Sequence, residues 1–226
     1  MIPLSPEDQA ILDLECETVA GHACKVVLLE GPAPGLEDLR RDIPERIAAA
    51  PELTRRLVDA RGAPAWAADE AFDVAEHVVA SPVAAPLDPA GLRREVARLF
   101  AERLDRSRPL WRIDVAPLAG GGRALVWRTH HALADGTTAM RLAEAVLWDP
   151  RPGEGARVSA AAADDGRRRR LRGFLRRELG PPGHRSPFDG RIGSRREVAF
   201  AAMPLKPLHD AARAASGATV NDAVLC

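Results

Sequence analysis

The sequence predicts an α/β fold, and three observations carry that prediction. Two apolar runs, Trp111 to Leu118 and Arg123 to His131, flank Gly120-Gly121-Gly122 and read as a β-hairpin. Two helix starts precede it, Ser5-Pro6 and Asp88-Pro89, each a capping residue followed by proline. Between them Cys24 to Leu29 reads as a buried strand, so strands and helices alternate along the chain.

Taken in order, Ser5-Pro6-Glu7-Asp8 opens a helix to about Leu14, with its acids at the positive helix end. The strand from Cys24 to Leu29 is ended by Gly31-Pro32. Leu36 to about Ala50 reads as helical, with Pro44 kinking or splitting it. Phe72 to Val79 reads as another strand. After Asp88-Pro89, the residues Leu92, Val96, Leu99 and Leu104 form one apolar stripe at near-helical spacing. The hairpin follows, and after Gly136 a helix is expected to about Trp148.

The character changes at Asp149. Residues 149–166 are rich in Pro, Gly, Ala and Asp and read as a mobile linker. Arg167 to Leu179 reads as a basic helix stopped by Pro181-Pro182-Gly183. A strand near Glu197 to Ala202 and a helix from Leu205 to about Ala215 come next. Thr219 then resembles an N-cap, yet Cys226 follows barely two turns later, which predicts a longer parent chain. The expected organisation is a domain over 1–148, a linker with a basic helix over 149–185, and a strand and helices over 186–226 leading into a truncated second domain.

Composition narrows the functional classes. Of 226 residues, 46% are apolar, enough for a proper core, and 32 basic residues balance 32 acidic ones. No global charge therefore points to nucleic acid. Three cysteines (Cys16, Cys24, Cys226) lack metal-ligand spacing, so neither a disulfide framework nor a zinc site is expected, and a reduced cytoplasmic setting is the default. The N-terminus has no basic segment followed by an apolar one, so it is not read as a signal peptide. No apolar run approaches the ~20 residues that cross a bilayer. Membrane contact, if made, is expected to be peripheral.

The segment His130-His131-Ala132-Leu133-Ala134-Asp135-Gly136 carries the chemistry. Adjacent residues on a strand point to opposite faces, so the two histidines cannot share a role. His131 falls on the face of Leu125 and Trp127, His130 on that of Ala124 and Val126. One ring can line a channel while the other packs behind the sheet. The opposed directions argue against a shared metal, and no third His or Cys lies nearby. Two ordinary structural histidines are the bland alternative, and the surrounding sequence is what overturns it.

H-H-x-x-x-D-G is the signature of the acyltransferase superfamily that includes chloramphenicol acetyltransferase and the peptide-synthetase condensation domains. Here it follows Leu104-Asp105-Arg106-Ser107-Arg108-Pro109-Leu110-Trp111 and precedes Met140-Arg141-Leu142. That order closely resembles the wax ester synthase/diacylglycerol acyltransferase family, including its Pro-Leu-Trp motif. Pro3-Leu4-Ser5-Pro6, Pro64-Ala65-Trp66 with Phe72-Asp73-Val74, Glu76-His77-Val78, and Asn221-Asp222 within Gly217 to Leu225 agree in register. The resemblance runs from Pro3 to Cys226 and implies a chloramphenicol-acetyltransferase-like half, a mixed β-sheet flanked by helices. Family members are longer, with a second half that supplies the other wall of the active-site tunnel, and the stretch between the two motifs is short here.

The implied reaction transfers a fatty acyl group from acyl-CoA, a co-substrate, to a hydroxyl. No bound cofactor and no metal are expected. By resemblance His131 is the general base and His130 supports it; a neutral imidazole suits the task. Asp135 is implied to be structural, paired with an arginine behind the motif, and Gly136 to allow a tight turn and close approach of substrate. Asn221 is the candidate oxyanion donor, or alternatively a residue of a helix first turn. Asp222 belongs to the same motif, and Pro109, Leu110 and Trp111 are read as structural. The arginines from Arg167 to Arg177 surround Leu171, Phe174, Leu175 and Leu179 on one helical face. That helix, 167–179, can lie on an anionic membrane or lipid-droplet surface, attract CoA phosphates, or simply be solvated. The leading expectation is triacylglycerol or wax ester synthesis, with diacylglycerol or a long-chain alcohol as acceptor. The alternatives are a carrier-protein-dependent or polyketide-type acyltransferase, and an inactive lipid-binding fragment that needs its other half.

Overall fold

The computed structural model describes residues 1–149, 190–216, 219, 220 and 224. A two-residue strand, β1 (Ile2–Pro3), precedes helix α1 (Pro6–Leu14). Ser5 caps that helix as expected, its hydroxyl accepting the Asp8 N–H at 3.1 Å. Strand β2 (His22–Leu29) begins ahead of the apolar run because its first residues pair with the far end of the motif strand. Helix α2 (Leu36–Arg46) holds Pro44 in its last turn, and a 3-10 turn over Ile47–Ala49 takes over there. Proline lacks one amide, so the chain tightens and stops soon after it.

An unpredicted hairpin follows, β3 (Arg55–Asp59) and β4 (Pro64–Ala68). Its turn places Arg61 at φ 61° and Gly62 at φ 85°, with Ala60 N–H donating to Ala63 O at 2.7 Å. Two consecutive positive φ values mark the hairpin turn that suits strand twist. Arginine in the first of them hides it from a search for Asn-Gly or Asp-Gly.

The strand expected over Phe72 to Val79 is a correction. Asp73 instead accepts the Ala75 N–H at 2.8 Å and caps a 3-10 turn, Val74–Glu76. Only β5 (Val78–Ala80) is extended and paired. Local side-chain bonding to the backbone competed with the ladder and won.

Helix α3 (Pro89–Ala101) is capped by Asp88, which accepts the Gly91 N–H at 2.6 Å. Leu104, expected on its apolar stripe, lies past its end and packs instead with Leu12, Trp66, Leu110 and Ala132. The predicted hairpin forms as β6 (Trp111–Pro117) and β7 (Arg123–His130), followed by helix α4 (Gly136–Leu147).

Strands β2, β7, β6 and β5 make one mixed sheet in that order, antiparallel except where β5 runs parallel to β6. Helix α3 carries the crossover that a parallel pair requires. A smaller antiparallel sheet has the order β1-β4-β3. The main core joins Trp111, Ile113, Val115, Leu125 and Trp127 to Leu39 and Ile43 of α2 and Leu142 and Val146 of α4. The other sheet face buries Asp114 and Arg128, joined at 2.9 Å, with Arg128 also donating to Leu99 O of α3 at 2.9 Å.

The chain divides into two compact units, Met1–Arg196 and Glu197–Cys226. Of the second, helix α5 (Leu205–Ser216) matches expectation. The strand expected over Glu197 to Ala202 is absent among the described residues, which carry no regular structure there. Apolar residues in alternation do not make a strand without a neighbour to take the backbone hydrogen bonds. Apart from Asp149, the expected linker and basic helix over 149–185 lie outside the described residues. Among those described, no helix is long and apolar enough to cross a membrane.

Candidate active site

Strand β7 delivers the His-His motif. It is paired on both sides, by β2 and β6, and seven of its eight residues are buried. Its last residue, His130, is 1% exposed and donates its amide to Leu110 O at 3.0 Å. Pro109-Leu110-Trp111 thereby anchors the motif. Trp111 is held in turn: its Nε1–H donates to Leu53 O at 2.7 Å, and its ring stacks on His77 at 4.6 Å.

The His130 ring is held by a hydrogen bond on one nitrogen. Nδ1 accepts the Ala132 N–H at 3.1 Å, so in the neutral ring the proton sits on Nε2. Nε2 faces Glu15 Oε2 at 3.6 Å, a carboxylate buried to 2% exposure and gripped by Arg106 Nε at 2.6 Å. Arg106 also donates to Leu12 O at 2.6 Å. Burial, and then the charges of Arg106 and His131, push the His130 pKa down to about 4. The nearby Glu15 does not reverse this, because Arg106 already takes its charge.

Beyond His130 the chain leaves the strand. His131 lies in a turn, exposed to solvent, and not on the β7 face that carries Leu125 and Trp127. The reason is local bonding. The amides of Leu133 and Ala134 both donate to His130 O, at 3.0 and 3.1 Å, and turn the chain, while His131 N–H donates to Gly21 O at 2.9 Å as the last rung of the β2–β7 ladder. Ala132 is buried and packs with Leu12, Trp66, Leu104 and Leu110. Asp135 caps α4, accepting the Thr138 N–H at 2.7 Å, and Gly136 is the first helical residue. A Cβ on Gly136 would meet nothing within 4 Å, so the space in front of it is open.

A cleft of about 320 Å³ lies along Pro109 and Trp111, lined among others by His77, Arg103, Arg108 and Arg128. His131 is not part of its wall. Among the described residues no group of three or more His, Cys, Asp or Glu is placed to hold a metal ion. Asn221 and Asp222 lie outside the described residues, as does the basic segment 167–179.

The motif thus places one exposed imidazole in a turn, directly after a buried one at the end of β7. The family description "wax ester synthase/diacylglycerol acyltransferase catalytic domain" matches residues 4–180. The chain belongs to this family.

Relatives extend the assignment. A Mycobacterium tuberculosis protein provisionally named a diacylglycerol O-acyltransferase is 28% identical over 271 residues, covering 99% of this chain and 53% of the relative. A second from that organism, similarly named, is 34% identical over 138 residues, covering 57% of this chain and 30% of the relative. The wax ester synthase/diacylglycerol acyltransferase of Marinobacter aquaeolei VT8 superposes with a TM-score of 0.65 at 25% identity, covering 98% of this chain and 57% of that one. The starter condensation domain of rhizomide synthetase, at 15% identity and a TM-score of 0.51, covers 64% of this chain and 37% of that one and shares the fold. The fold is thus the chloramphenicol-acetyltransferase-like type, and the chain spans about half the length of these relatives.

The family motifs identify His131 and Pro109-Leu110-Trp111 from sequence. They do not identify Glu15 or Gly21, which the fold brings to the motif from the end of α1 and the approach to β2. Gly21 carries the one available signal, a glycine immediately before a strand, and its φ is indeed +66°.

Proposed function

We propose that this chain carries the base-bearing half of an O-acyltransferase that moves a long-chain acyl group from acyl-CoA to a hydroxyl. The supporting observation is the division between the two histidines: His130 is buried and held neutral, and His131 stands exposed just past the end of the strand. An alcohol is a weak nucleophile near neutral pH, so its proton must be taken as it attacks. His131 accepts that proton while the oxygen adds to the thioester carbonyl carbon. Asn221 is assigned to donate to the oxyanion. When the tetrahedral centre collapses, the carbon–sulfur bond breaks, and the His131 proton goes to the departing CoA sulfur. The acyl group ends on the alcohol, and His131 returns to its starting state. Asp135 contributes by capping α4 directly behind the base.

Diacylglycerol is the favoured acceptor, after the names of the mycobacterial relatives, with a long-chain alcohol second, as in the name of the Marinobacter protein. The basic segment 167–179 is assigned to a lipid surface, which brings the enzyme to both lipid substrates. The test incubates the purified chain with labelled palmitoyl-CoA and dioleoylglycerol or hexadecanol, beside His131→Ala, and separates the lipids. Ester from the wild type and none from the variant is expected. Equal ester from both removes His131 as the base. No ester from either, with the chain folded, removes transfer by this chain alone and leaves a half that acts with a second one.

A further inference from the structure

We propose that Gly21 is a positioning residue for the His131 base, an inference that rests on the function proposed above. Two properties of Gly21 meet at the motif. Its carbonyl accepts the His131 N–H at 2.9 Å, which fixes the backbone of the base directly. Its lack of a side chain makes room for His130, since a Cβ built on Gly21 would collide with His130 Nε2 and sit 3.1 Å from Cε1.

The His130 ring has nowhere to retreat. It is 1% exposed, its Nε2 side faces the Glu15 carboxylate held by Arg106, and its Nδ1 accepts the Ala132 N–H. A displaced ring gives up that last bond, and the peptide between His131 and Ala132 moves with it. Gly21 therefore acts on the two peptide groups that flank the His131 Cα: on the His131 amide through its own carbonyl, and on the Ala132 amide through His130. A shift of about 1 Å in a reacting group costs about a hundredfold in rate, so this grip acts on catalysis without touching substrate. Glu15 and Arg106 form the back wall of the device.

Glycine 31 supplies the control. Its φ of +68° matches the +66° of Gly21, but a Cβ there meets nothing within 4 Å. Alanine at either position carries the same backbone strain, and at Gly21 alone does it strike a histidine.

The experiment compares wild type, Gly21→Ala and Gly31→Ala by ¹⁵N NMR of the histidine rings, amide exchange and steady-state kinetics. In the wild type the His130 ring is expected as the Nε2–H tautomer at neutral pH. A wild-type Nδ1–H tautomer overturns the proposal even if Gly21→Ala does not fold, because Nδ1 then cannot accept the Ala132 amide. In Gly21→Ala the His131 and Ala132 amides are expected to exchange about tenfold faster, the loss of one hydrogen bond, while Gly31→Ala leaves them unchanged. With labelled palmitoyl-CoA as donor, kcat falls about a hundredfold in Gly21→Ala, with KM for the thioester unchanged. Equal exchange and equal kcat in the two variants overturn the proposal. Should the wild type transfer no acyl group, transfer by this chain alone is excluded, and the tautomer and exchange results alone decide the role of Gly21.

Discussion

On one face of the four-stranded sheet Trp111, Ile113, Val115, Leu125 and Trp127 pack against the apolar sides of α2 and α4, whereas the opposite face buries Asp114, Arg128, His22 and His130. The first face is held by area removed from water, a force without direction that tolerates repacking. The second is held by specific partners: Arg128 on Asp114 and Leu99 O, the Ala132 amide on His130, Glu15 on Arg106. Each of these bonds has one geometry that satisfies it. A one-residue slip of β7 would put Arg128 and His130 into the apolar core, so the polar face helps fix the register that places His131. Stability and position are thus divided between the two sides of one sheet.

Acid is the strongest way to break this division. Burial, then the neighbouring charges of Arg128 and Arg106 respectively, push His22 and His130 down to about 4. In the unfolded chain they take protons near the ordinary value of about 6.5, so between those values the unfolded state holds more protons. Stability is therefore complete above about pH 6.5 and declines as pH falls toward 4, by about 3 kcal/mol for each ring. Urea unfolding across that range should show a shallower decline in His22→Leu than in wild type. Identical slopes would mean that His22 is hydrated in the folded protein.

Removing one charge of the buried pair comes next. Arg128→Leu leaves Asp114, which is 0% exposed, with only the partly exposed Arg112 at 3.1 Å, and should cost about 3–5 kcal/mol in urea unfolding. A loss under about 1 kcal/mol would place that pair among exposed ion pairs instead. The apolar face sharpens the contrast. Leu142→Ala should cost about 3 kcal/mol through the cavity it leaves, with no change in the acid slope, because His22 and His130 lie on the opposite face of the sheet. The smallest effect belongs to the motif's edge. Asp135→Ala removes the α4 cap and should cost about 1 kcal/mol, read as a fall in thermal midpoint that Asp135→Ser largely restores.

Those contrasts also explain what the sequence could and could not reveal. Capped helices announce themselves because cap and helix are neighbours: Ser5, Asp88 and the hairpin around Gly121 were all readable. The His-His motif was readable for the same reason, as seven consecutive residues. The strand over Phe72 to Val79 failed because Asp73 bonds its own backbone, an effect that apolar patterning does not register. The β3–β4 hairpin was hidden by Arg61 in a left-handed turn position. His131 was assigned to a strand face because the turn that follows β7, closed by the Leu133 and Ala134 amides on His130 O, leaves no mark in the alternation. Glu15 and Gly21 were silent, since their meaning depends on who arrives beside them.

The pairing of His22 with His130 joins residues far apart in the sequence of the first unit. Adjacent strands β6 and β7 can close early, because little chain entropy is lost in forming a tight hairpin. Strand β2 must wait until β7 has left the ribosome before its partner exists. The hydrogen bond from His131 to Gly21 therefore forms later than the hairpin that carries the motif strand, and the strand can exist before the bond that holds the turn.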